Sequence, residues 1–224
     1  MQTEGKKSVL MLTRNRIYFY DGSNVITLDL PPTVVRDLDI KDRDGLFNLI
    51  VAFIQNNKLI PAQIYFVLAE SVCFGKDFGF DAKSDPVKIE EMASEFTDTI
   101  PFSSVISKTY KTPAMWRVIG ANQDLIDTVF EAFASRGFGL SALVPAIIFP
   151  DLATSVDLTP QKAQIILAKK DIAVSNSMVG EQQGHDQQLT TTQTAVPKNK
   201  ILPYLIVAFS ILVIILIYLV VTRL

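Results

Sequence analysis

The side chains that most often carry out catalysis are scarce in this sequence. Its 224 residues include one cysteine, Cys73, and one histidine, His185. A disulfide within the chain and a Cys/His zinc cluster are excluded, because each needs more of these residues. His185 lies in a polar stretch and is expected to be a solvated linker residue, whereas Cys73 lies in an apolar run typical of a buried, inert thiol. Catalysis by a Ser-His-Asp or Cys-His arrangement would need His185.

Three further patterns resemble chemical sites, and a structural explanation fits each. The Gly-x-Gly pattern at 136–139 follows a predicted helix rather than a strand, so it indicates a helix-to-strand turn and not a phosphate loop. Glu70 ends a predicted buried strand, where open α/β sheets often place functional groups, but it has no obvious acid, base or ligand partner. A group of aspartates alternates with basic residues, lacks calcium-loop spacing and indicates a solvated helix start: Asp37, Asp39, Asp42 and Asp44. We therefore expect no enzyme active site, no metal and no cofactor.

Composition separates one region from the rest of the chain. With 21 basic and 23 acidic residues, a net charge of −2 and no basic run longer than two, the sequence lacks the positive surface that nucleic acid requires. Hydrophobic residues make up 49% of the chain although the charged fraction, 20%, is ordinary. The apolar excess is concentrated in the last 24 residues, which points to a membrane.

A single transmembrane helix is predicted at 201–222. Residues 201–221 carry no charge, and a helix of that length is about 31 Å long, close to the roughly 30 Å hydrocarbon core of a bilayer. Basic residues flank it, tyrosines fall near both interfaces and a proline occupies its first turn. The predicted anchor residues are Ile201, Pro203, Tyr204, Tyr218 and Val221, with Lys198, Lys200 and Arg223 as flanks. We expect this helix to bind the lipid bilayer.

The chain before this helix is expected to remain in the cytoplasm. Residues 1–7 are polar, and the next apolar run is too short for a signal peptide. Two lysines before the helix against one arginine after it agree with the positive-inside rule. Residues 176–200 are rich in Gln, Thr, Ser and Gly, which predicts a disordered tether with a reach of about 25–30 Å. The expected arrangement is a single-pass, tail-anchored membrane protein.

Hydrophobic periodicity predicts two α+β units and a hairpin before the tether. In residues 1–80, strands at 8–13, 17–20 and 25–28, an amphipathic helix around 46–54 and a buried strand at 64–69 give the order βββαβ. In residues 81–150, a helix beginning at Pro86, strands at 105–110 and 115–121, a helix capped by Asn122 and a strand at 140–144 give αββαβ. Residues 151–175 are predicted to hold a hairpin, with strands at 163–168 and 171–175.

This order of elements resembles the first half of a family of actin-like proteins, the PilM and L-component proteins of type IV pilus and type II secretion machines. The resemblance rests on an acidic helix followed by Ile-Pro-Phe at 100–102, small apolar residues at 116–121, the helix at 125–133 and a glycine turn that leads to Val-Pro at 144–145. It covers residues 8–150. The implied fold is α/β (α+β): an actin/ribonuclease-H-like half-domain with an inserted αββαβ subdomain, a flexible tether and one C-terminal transmembrane helix.

The sequence departs from this family where nucleotide would bind. An actin-like ATPase has an Asp-x-Gly turn after its first strand, because phosphates need close backbone N–H groups and a metal-associated carboxylate. The corresponding turn at 12–16 reads Leu-Thr-Arg-Asn-Arg and contains neither residue. The second half that would complete a nucleotide cleft is also expected to be missing. The sequence therefore predicts no ATP hydrolysis.

The function implied by the resemblance is that of a non-enzymatic, membrane-anchored scaffold. In the family, the inserted subdomain helps to bind a short cytoplasmic tail of a membrane partner. The implied partners are inner-membrane platform proteins and a cytoplasmic assembly ATPase, with the bilayer bound through the C-terminal helix, no nucleic acid, and a homodimer left open. The implied location is the inner membrane, with the N-terminal domain in the cytoplasm. Two alternatives remain: a membrane-tethered ATPase half that needs a second subunit, and a tail-anchored trafficking or signalling adaptor.

Overall fold

The described part of the chain consists of short strands and helices that precede the predicted membrane anchor. The structure is a computed structural model that describes residues 5–79, 86–112, 115–150 and 157–180. The predicted transmembrane helix at 201–222 with its flanks, His185 and the predicted tether beyond residue 180 lie outside these residues. Within the described ranges, no helix combines the length and the apolar character needed to cross a membrane.

The described residues form ten strands and five α-helices. The strands are β1 (Lys7–Leu12), β2 (Arg16–Tyr20), β3 (Val25–Asp29), β4 (Val35–Arg36), β5 (Asp39–Ile40), β6 (Gln63–Leu68), β7 (Phe74–Gly79), β8 (Val105–Lys111), β9 (Met115–Asn122) and β10 (Gly139–Pro145). The helices are α1 (Arg43–Asn56), α2 (Pro86–Asp98), α3 (Gln123–Ala134), α4 (Pro160–Ala168) and α5 (Lys170–Ser175). The strands and helices predicted within residues 8–150 are confirmed, and the sequence pattern does not predict β4, β5 or β7.

The first three strands form an antiparallel meander that two later strands extend in parallel. The order of the five strands in this sheet is β10-β6-β1-β2-β3, and β6 is parallel to both β1 and β10. Because these three strands run in one direction, their carboxyl ends lie along the same edge of the sheet. The residues at this edge are Leu12, Leu68 and Pro145.

Helices cover both faces of the five-stranded sheet. Alternate residues of a strand point to opposite faces, so Leu10 joins the core formed with α1 and α3, whereas Val9 and Met11 join the core formed with α4 and α5. In the first of these cores, the rings of Phe19 and Phe133 stack with centroids 5.6 Å apart. Burial on both faces explains the uninterrupted apolar sequence of β6.

Two helices occupy 160–175, so the predicted hairpin with strands at 163–168 and 171–175 is wrong. α4 begins after Thr159, whose hydroxyl accepts a hydrogen bond from the backbone N–H of Lys162, and Pro160 takes the first helical position. The buried residues Ala163 and Ile166 are three positions apart, which is a helical spacing. The apolar run at 165–168 resembles a strand in sequence because so short a run does not fix the period.

A second, three-stranded sheet has the antiparallel order β7-β9-β8. α2 covers one of its faces, where Ile89 packs with Phe78 and Val118. Because Gly120 on β9 has no side chain, Ile100 can pack closely on this sheet; a Cβ atom at Gly120 would lie 2.5 Å from Cδ1 of Ile100. A larger residue at this position would require the side chains of Ile100 and Val105 to shift.

The boundary between the two sheets differs from the division predicted at residue 80. β7 precedes that residue but belongs to the three-stranded sheet, whereas α3 and β10 follow it and belong to the five-stranded layer. α3 packs on α1, and β10 pairs with β6. The prediction of an αββαβ insertion over 81–150 is therefore wrong in its limits, and the insertion runs from β7 to β9 in the order βαββ. Pairing between strands that are distant in sequence leaves no local periodicity by which to place this boundary.

Candidate functional site

The face of the three-stranded sheet that α2 leaves uncovered lies toward the five-stranded layer. Cross-strand register places two rows of three residues on this face, because opposite residues in paired strands point the same way. The rows are Gly75, Ile119 and Lys108, and Asp77, Arg117 and Tyr110. We call the space between these rows and the β6–β10 edge of the five-stranded sheet the intersheet cleft.

An open cavity of about 200 Å³ occupies the β7 side of the intersheet cleft. Its apolar walls include Leu68 and Pro145 from the carboxyl ends of β6 and β10, and Ile119 from β9. Glu70 lines it from the 3-10 turn Glu70–Val72 that follows β6. The carboxyl ends of parallel strands are where open α/β sheets bind ligands, so the cavity is the candidate binding site of this fold.

The polar rim of the cavity carries one net negative charge. Arg117 and Asp77, on adjacent strands, form a bidentate ion pair in which the guanidinium donates to both carboxylate oxygens. These hydrogen bonds lower the pKa of Asp77 and raise the pKa of Arg117, to which the charge of Glu70 adds a smaller effect. Two carboxylates and one guanidinium favour a positively charged group at the mouth of the cavity.

Cys73 lies in the cavity wall and is partly buried. Burial, with a smaller contribution from the charge of Glu70, raises the pKa of its thiol to about 12. The thiol is therefore protonated at neutral pH, and a protonated thiol is a weak nucleophile. This property agrees with the expectation of an inert cysteine.

The β8 side of the intersheet cleft holds residues 176–180 of the chain itself, which we call the 176–180 segment. The N–H of Met178 donates to the carbonyl of Leu143 on β10 at 2.7 Å, and the Ser177 hydroxyl accepts from the N–H of Leu143 at 3.1 Å. From β8, the Lys108 ammonium group donates to the carbonyl of Ser177 at 2.6 Å, and the Tyr110 hydroxyl donates to the carbonyl of Asn176 at 3.2 Å. The segment therefore bridges the two sheets.

The start of the predicted tether at residue 176 is wrong by five residues, because residues 176–180 are bonded to the domain. Met178 and Val179 also pack against the main core. A polar composition favours disorder only when the backbone finds no partner, and here the edge of β10 supplies one. The later residues of the tether, from 181 onward, lie outside the described part of the chain.

The first two backbone N–H groups of the turn between β1 and β2 are hydrogen-bonded to other residues of the protein. The N–H and the hydroxyl of Thr13 both donate to the carbonyl of Arg16 at 2.9 Å, and the N–H of Arg14 donates to the hydroxyl of Ser71 at 3.3 Å. The side chain of Arg14 pairs with Asp37 at 2.5 Å on the surface. A phosphate group at this turn would have to replace these bonds.

Two of the patterns in the sequence have structural roles. Gly137 adopts a positive φ of 86° directly after α3, where Phe138 donates from its N–H to the carbonyl of Phe133 at 3.3 Å. The Gly-x-Gly pattern at 136–139 is thus confirmed as a helix-to-strand turn. Asp42 caps α1 by accepting from the N–H of Gly45 at 2.8 Å, which confirms the helix start predicted from the aspartate group. Over the ranges that the structure describes, no three His, Cys, Asp or Glu side chains are grouped to hold a metal ion.

The structure adds four residues to the site that the sequence pattern does not single out: Lys108, Tyr110, Asp77 and Arg117. The last two pair across strands that are 40 positions apart in sequence. Charged residues within β7 and β9 were the available signal, but they do not say which strands are neighbours. Glu70 is the site residue whose position the sequence does predict, at the end of β6.

The described residues define an α/β domain whose central sheet lies between two helical layers and whose inserted small sheet forms a cleft at the β6–β10 edge. No family model matches the sequence, and no curated protein matches it. Among solved structures, the chain is similar to the PilM-PilN type IV pilus biogenesis complex, with 13% sequence identity and a TM-score of 0.45 over 65% of this chain and 49% of that chain.

A second similar structure is the cytoplasmic domain of EpsL, an inner membrane component of the type II secretion system of Vibrio cholerae. Here the identity is 12% and the TM-score 0.38, over 63% of this chain and 58% of that chain. The chain thus spans about half the length of the structures that it matches.

Proposed function

We propose that this chain is a non-enzymatic, membrane-anchored scaffold in an inner-membrane platform of the type IV pilus or type II secretion kind. Its intersheet cleft binds an extended cytoplasmic tail of a partner platform protein. The observation that supports this proposal is the cleft itself, in which an open cavity of about 200 Å³ continues a space that already holds a segment of polypeptide outside any helix or strand. The choice of machine comes from the sequence resemblance.

The charge of the cavity rim suits such a partner. Cytoplasmic segments next to transmembrane helices carry an excess of Lys and Arg. A basic side chain of this kind is attracted by Glu70, because the Asp77–Arg117 pair is neutral overall and leaves the Glu70 charge uncompensated, while its aliphatic stem lies against the apolar wall. The cavity thus combines a site for one basic side chain with apolar contacts for its neighbours.

The predicted helix at 201–222 places the domain where these tails begin. A domain that is tethered to the same membrane as its partner meets the partner at a high effective concentration, on the order of millimolar for a short flexible linker. Modest affinity in the cleft is then sufficient for stable assembly. Within this proposal, the domain is cytoplasmic, the bilayer is bound through the helix, and a cytoplasmic assembly ATPase is a second partner.

A cavity-filling variant tests the proposal. A Cβ atom at Gly75 would meet only the carbonyl of Val118, at 3.9 Å, so Gly75→Leu fills the cavity without a backbone clash. Gly79→Leu, on the same strand and with no atom within 4 Å of its Cβ position, is the matched control. In cross-linking of the full chain in native membranes, we expect platform proteins to be recovered with the wild type and with Gly79→Leu, and at least tenfold less with Gly75→Leu. Equal recovery with both variants would contradict binding in the cleft.

The enzymatic alternative is tested directly with the full chain in detergent. The N–H groups of Thr13 and Arg14 in the β1–β2 turn already form hydrogen bonds within the protein and are not available to a phosphate group. We therefore expect neither saturable ATP binding nor ATP turnover, whether the chain is tested alone or with candidate second subunits. Saturable hydrolysis that Arg14→Ala or Ser71→Ala altered would identify the chain as an ATPase half. It would replace the scaffold proposal.

A further inference from the structure

The 176–180 segment occupies the intersheet cleft in the manner of a bound peptide. It follows α5, belongs to no helix or strand, and lies between the edge of β10 and the exposed face of β8. We propose that this segment is an intramolecular ligand of the cleft, which an extended tail of the partner protein displaces. The identity of the displacing partner rests on the proposed function, whereas occupancy of the cleft by the segment does not.

Two hydrogen bonds to Leu143 at the edge of β10, one of them between backbone groups, are the first observation behind this inference. β10 is an edge strand of the five-stranded sheet, so the outer N–H and C=O groups of its residues are available to an added strand. Leu143 uses both groups, toward the hydroxyl of Ser177 and the N–H of Met178. Addition of an extended peptide to a strand edge is a common mode of recognition, in which backbone bonds supply affinity.

Two side chains of β8 hold the segment from the opposite side. Lys108 and Tyr110 donate to consecutive backbone carbonyls, those of Ser177 and Asn176. Apart from the Ser177 hydroxyl, the segment uses only backbone atoms in these bonds. Another chain that follows the same backbone path, with a small hydroxyl residue at the position of Ser177, can therefore form the same set.

The segment is less buried than the sheet on which it lies. Residues 176–179 are partly exposed and Gly180 is exposed, whereas residues such as Val67 and Phe66 of β6 are fully buried. Segments with few buried contacts open at lower free energy than core strands. Displacement of the segment removes Met178 and Val179 from the surface of the main core but removes none of the fully buried residues of either core.

The contacts of the segment define the chemistry of a competing tail. Such a tail follows the backbone path of the segment, carries a small hydroxyl residue followed by two apolar residues, and has no positive charge near the Ser177 position, where it would face the ammonium group of Lys108. Its basic residue, if it enters the neighbouring cavity, pairs with Glu70. Met178 and Val179 show that two apolar side chains fit against the core at this place.

Displacement would also change the membrane tether. Release of residues 176–180 adds five residues to the predicted tether, which extends its maximum span by about 17 Å. Partner binding and the distance of the domain from the membrane are thereby coupled, since both depend on the same five residues.

A labelled peptide with the sequence of residues 174–181 tests the inference without any partner protein. Its affinity is measured by fluorescence anisotropy for the full-length wild type and the full-length Met178→Asp variant, both in mild detergent. The apparent Kd of a ligand rises as the fraction of open sites falls. Because Met178→Asp places a charge against the core and opens the site, we expect the variant to bind the wild-type peptide at least tenfold more tightly than the wild-type protein does.

Three controls make the result decisive. Ile172→Asp, at an exposed position of α5, should leave the affinity unchanged, and a peptide that carries Met178→Asp should bind neither protein. Unchanged amide exchange in β1 and β6 verifies the fold; if Met178→Asp does not fold, Met178→Ala should still bind at least threefold more tightly than wild type. Affinities within twofold of the wild type, or equal binding of the two peptides, would overturn the inference even if platform proteins are captured by the cleft.

Discussion

The ammonium group of Lys108 donates a hydrogen bond of 2.6 Å to the backbone carbonyl of Ser177, although 69 positions separate them in sequence. The bond joins the inserted three-stranded sheet to the segment that leads from the domain toward the predicted anchor. Partial burial removes water from around the ammonium group of Lys108 and so lowers its pKa. The hydrogen bond to the Ser177 carbonyl replaces part of this lost hydration. This contact joins the cleft to the residues that precede the predicted tether.

Replacement of Lys108 by methionine tests this link. Lys108→Met keeps most of the aliphatic length of the side chain but removes the donor, so the free energy of unfolding should fall by about 1.5–3 kcal/mol, the usual range for a hydrogen bond to a charged group. Hydrogen exchange at the amide of Met178 should accelerate at least tenfold. Lys88→Met, at an exposed position of α2, is the matched control and should change neither quantity. An unchanged exchange rate at Met178 in Lys108→Met would show that the bond does not hold the segment.

Two glycines of the inserted sheet should respond in opposite ways to alanine. At Gly120 a Cβ atom would lie 2.5 Å from Cδ1 of Ile100 and 3.2 Å from Cγ1 of Val105, so Gly120→Ala should destabilise the protein by about 1–3 kcal/mol through overpacking. At Gly75 the nearest atom would be 3.9 Å away, and Gly75→Ala should be neutral or stabilise by up to about 1 kcal/mol.

A double-mutant cycle identifies the cause of the Gly120→Ala effect. Ile100→Val removes the atom nearest to the new Cβ, so the combined variant should be more stable than the sum of the two single changes predicts, by at least about 0.5 kcal/mol. Chemical denaturation of the full chain in detergent measures all four proteins. Strict additivity would mean that the two side chains do not compete for this space.

Local patterns in the sequence predict those parts of the fold that local physics determines. The β2–β3 turn follows from Asp21, whose carboxylate accepts from the N–H groups of Ser23 and Asn24 at 2.8 Å. α3 begins where Asn122 supplies a cap, accepting from the N–H of Leu125 at 3.3 Å. Each of these features is determined within a few residues, so a single sequence is sufficient to place it.

The candidate site depends on pairings that no local pattern encodes. β7 contains two glycines and two charged residues within Phe74–Gly79, a composition that is poor for a buried strand, and it is a strand because its backbone pairs with β9. The same pairing brings Asp77 to Arg117 and so forms the cavity rim. The order of strands also decides that β10 is an edge, and hence that the 176–180 segment finds a partner there.

The thiol of Cys73 should make the stability of the protein fall at alkaline pH. Its pKa is raised from 9.0 to about 12 in the folded protein, so between these values the unfolded chain releases a proton that the folded protein retains. The stabilising contribution is complete below pH 9 and is lost as the pH rises toward 12. Between pH 8 and pH 10 the wild type should lose about 1–1.5 kcal/mol more than Cys73→Ala does, at about 1.4 kcal/mol per pH unit for one group. Equal losses in the two proteins, measured by chemical denaturation, would show that the thiol ionises freely in the folded state.

The apolar run at 201–221 should determine where the protein resides. Arginine near the centre of a transmembrane helix costs about 2.5–3.5 kcal/mol in insertion, so Ile211→Arg with Ile214→Arg should oppose insertion by about 5–7 kcal/mol. We expect this double variant to move from the membrane fraction to the soluble fraction after carbonate extraction, whereas Thr222→Arg, beside the natural Arg223, should remain in the membrane. If the soluble double variant retains the peptide affinity of the wild type, the cleft and the anchor act independently. Retention of the double variant in membranes would instead mean that a protein contact, and not the helix, holds the chain there.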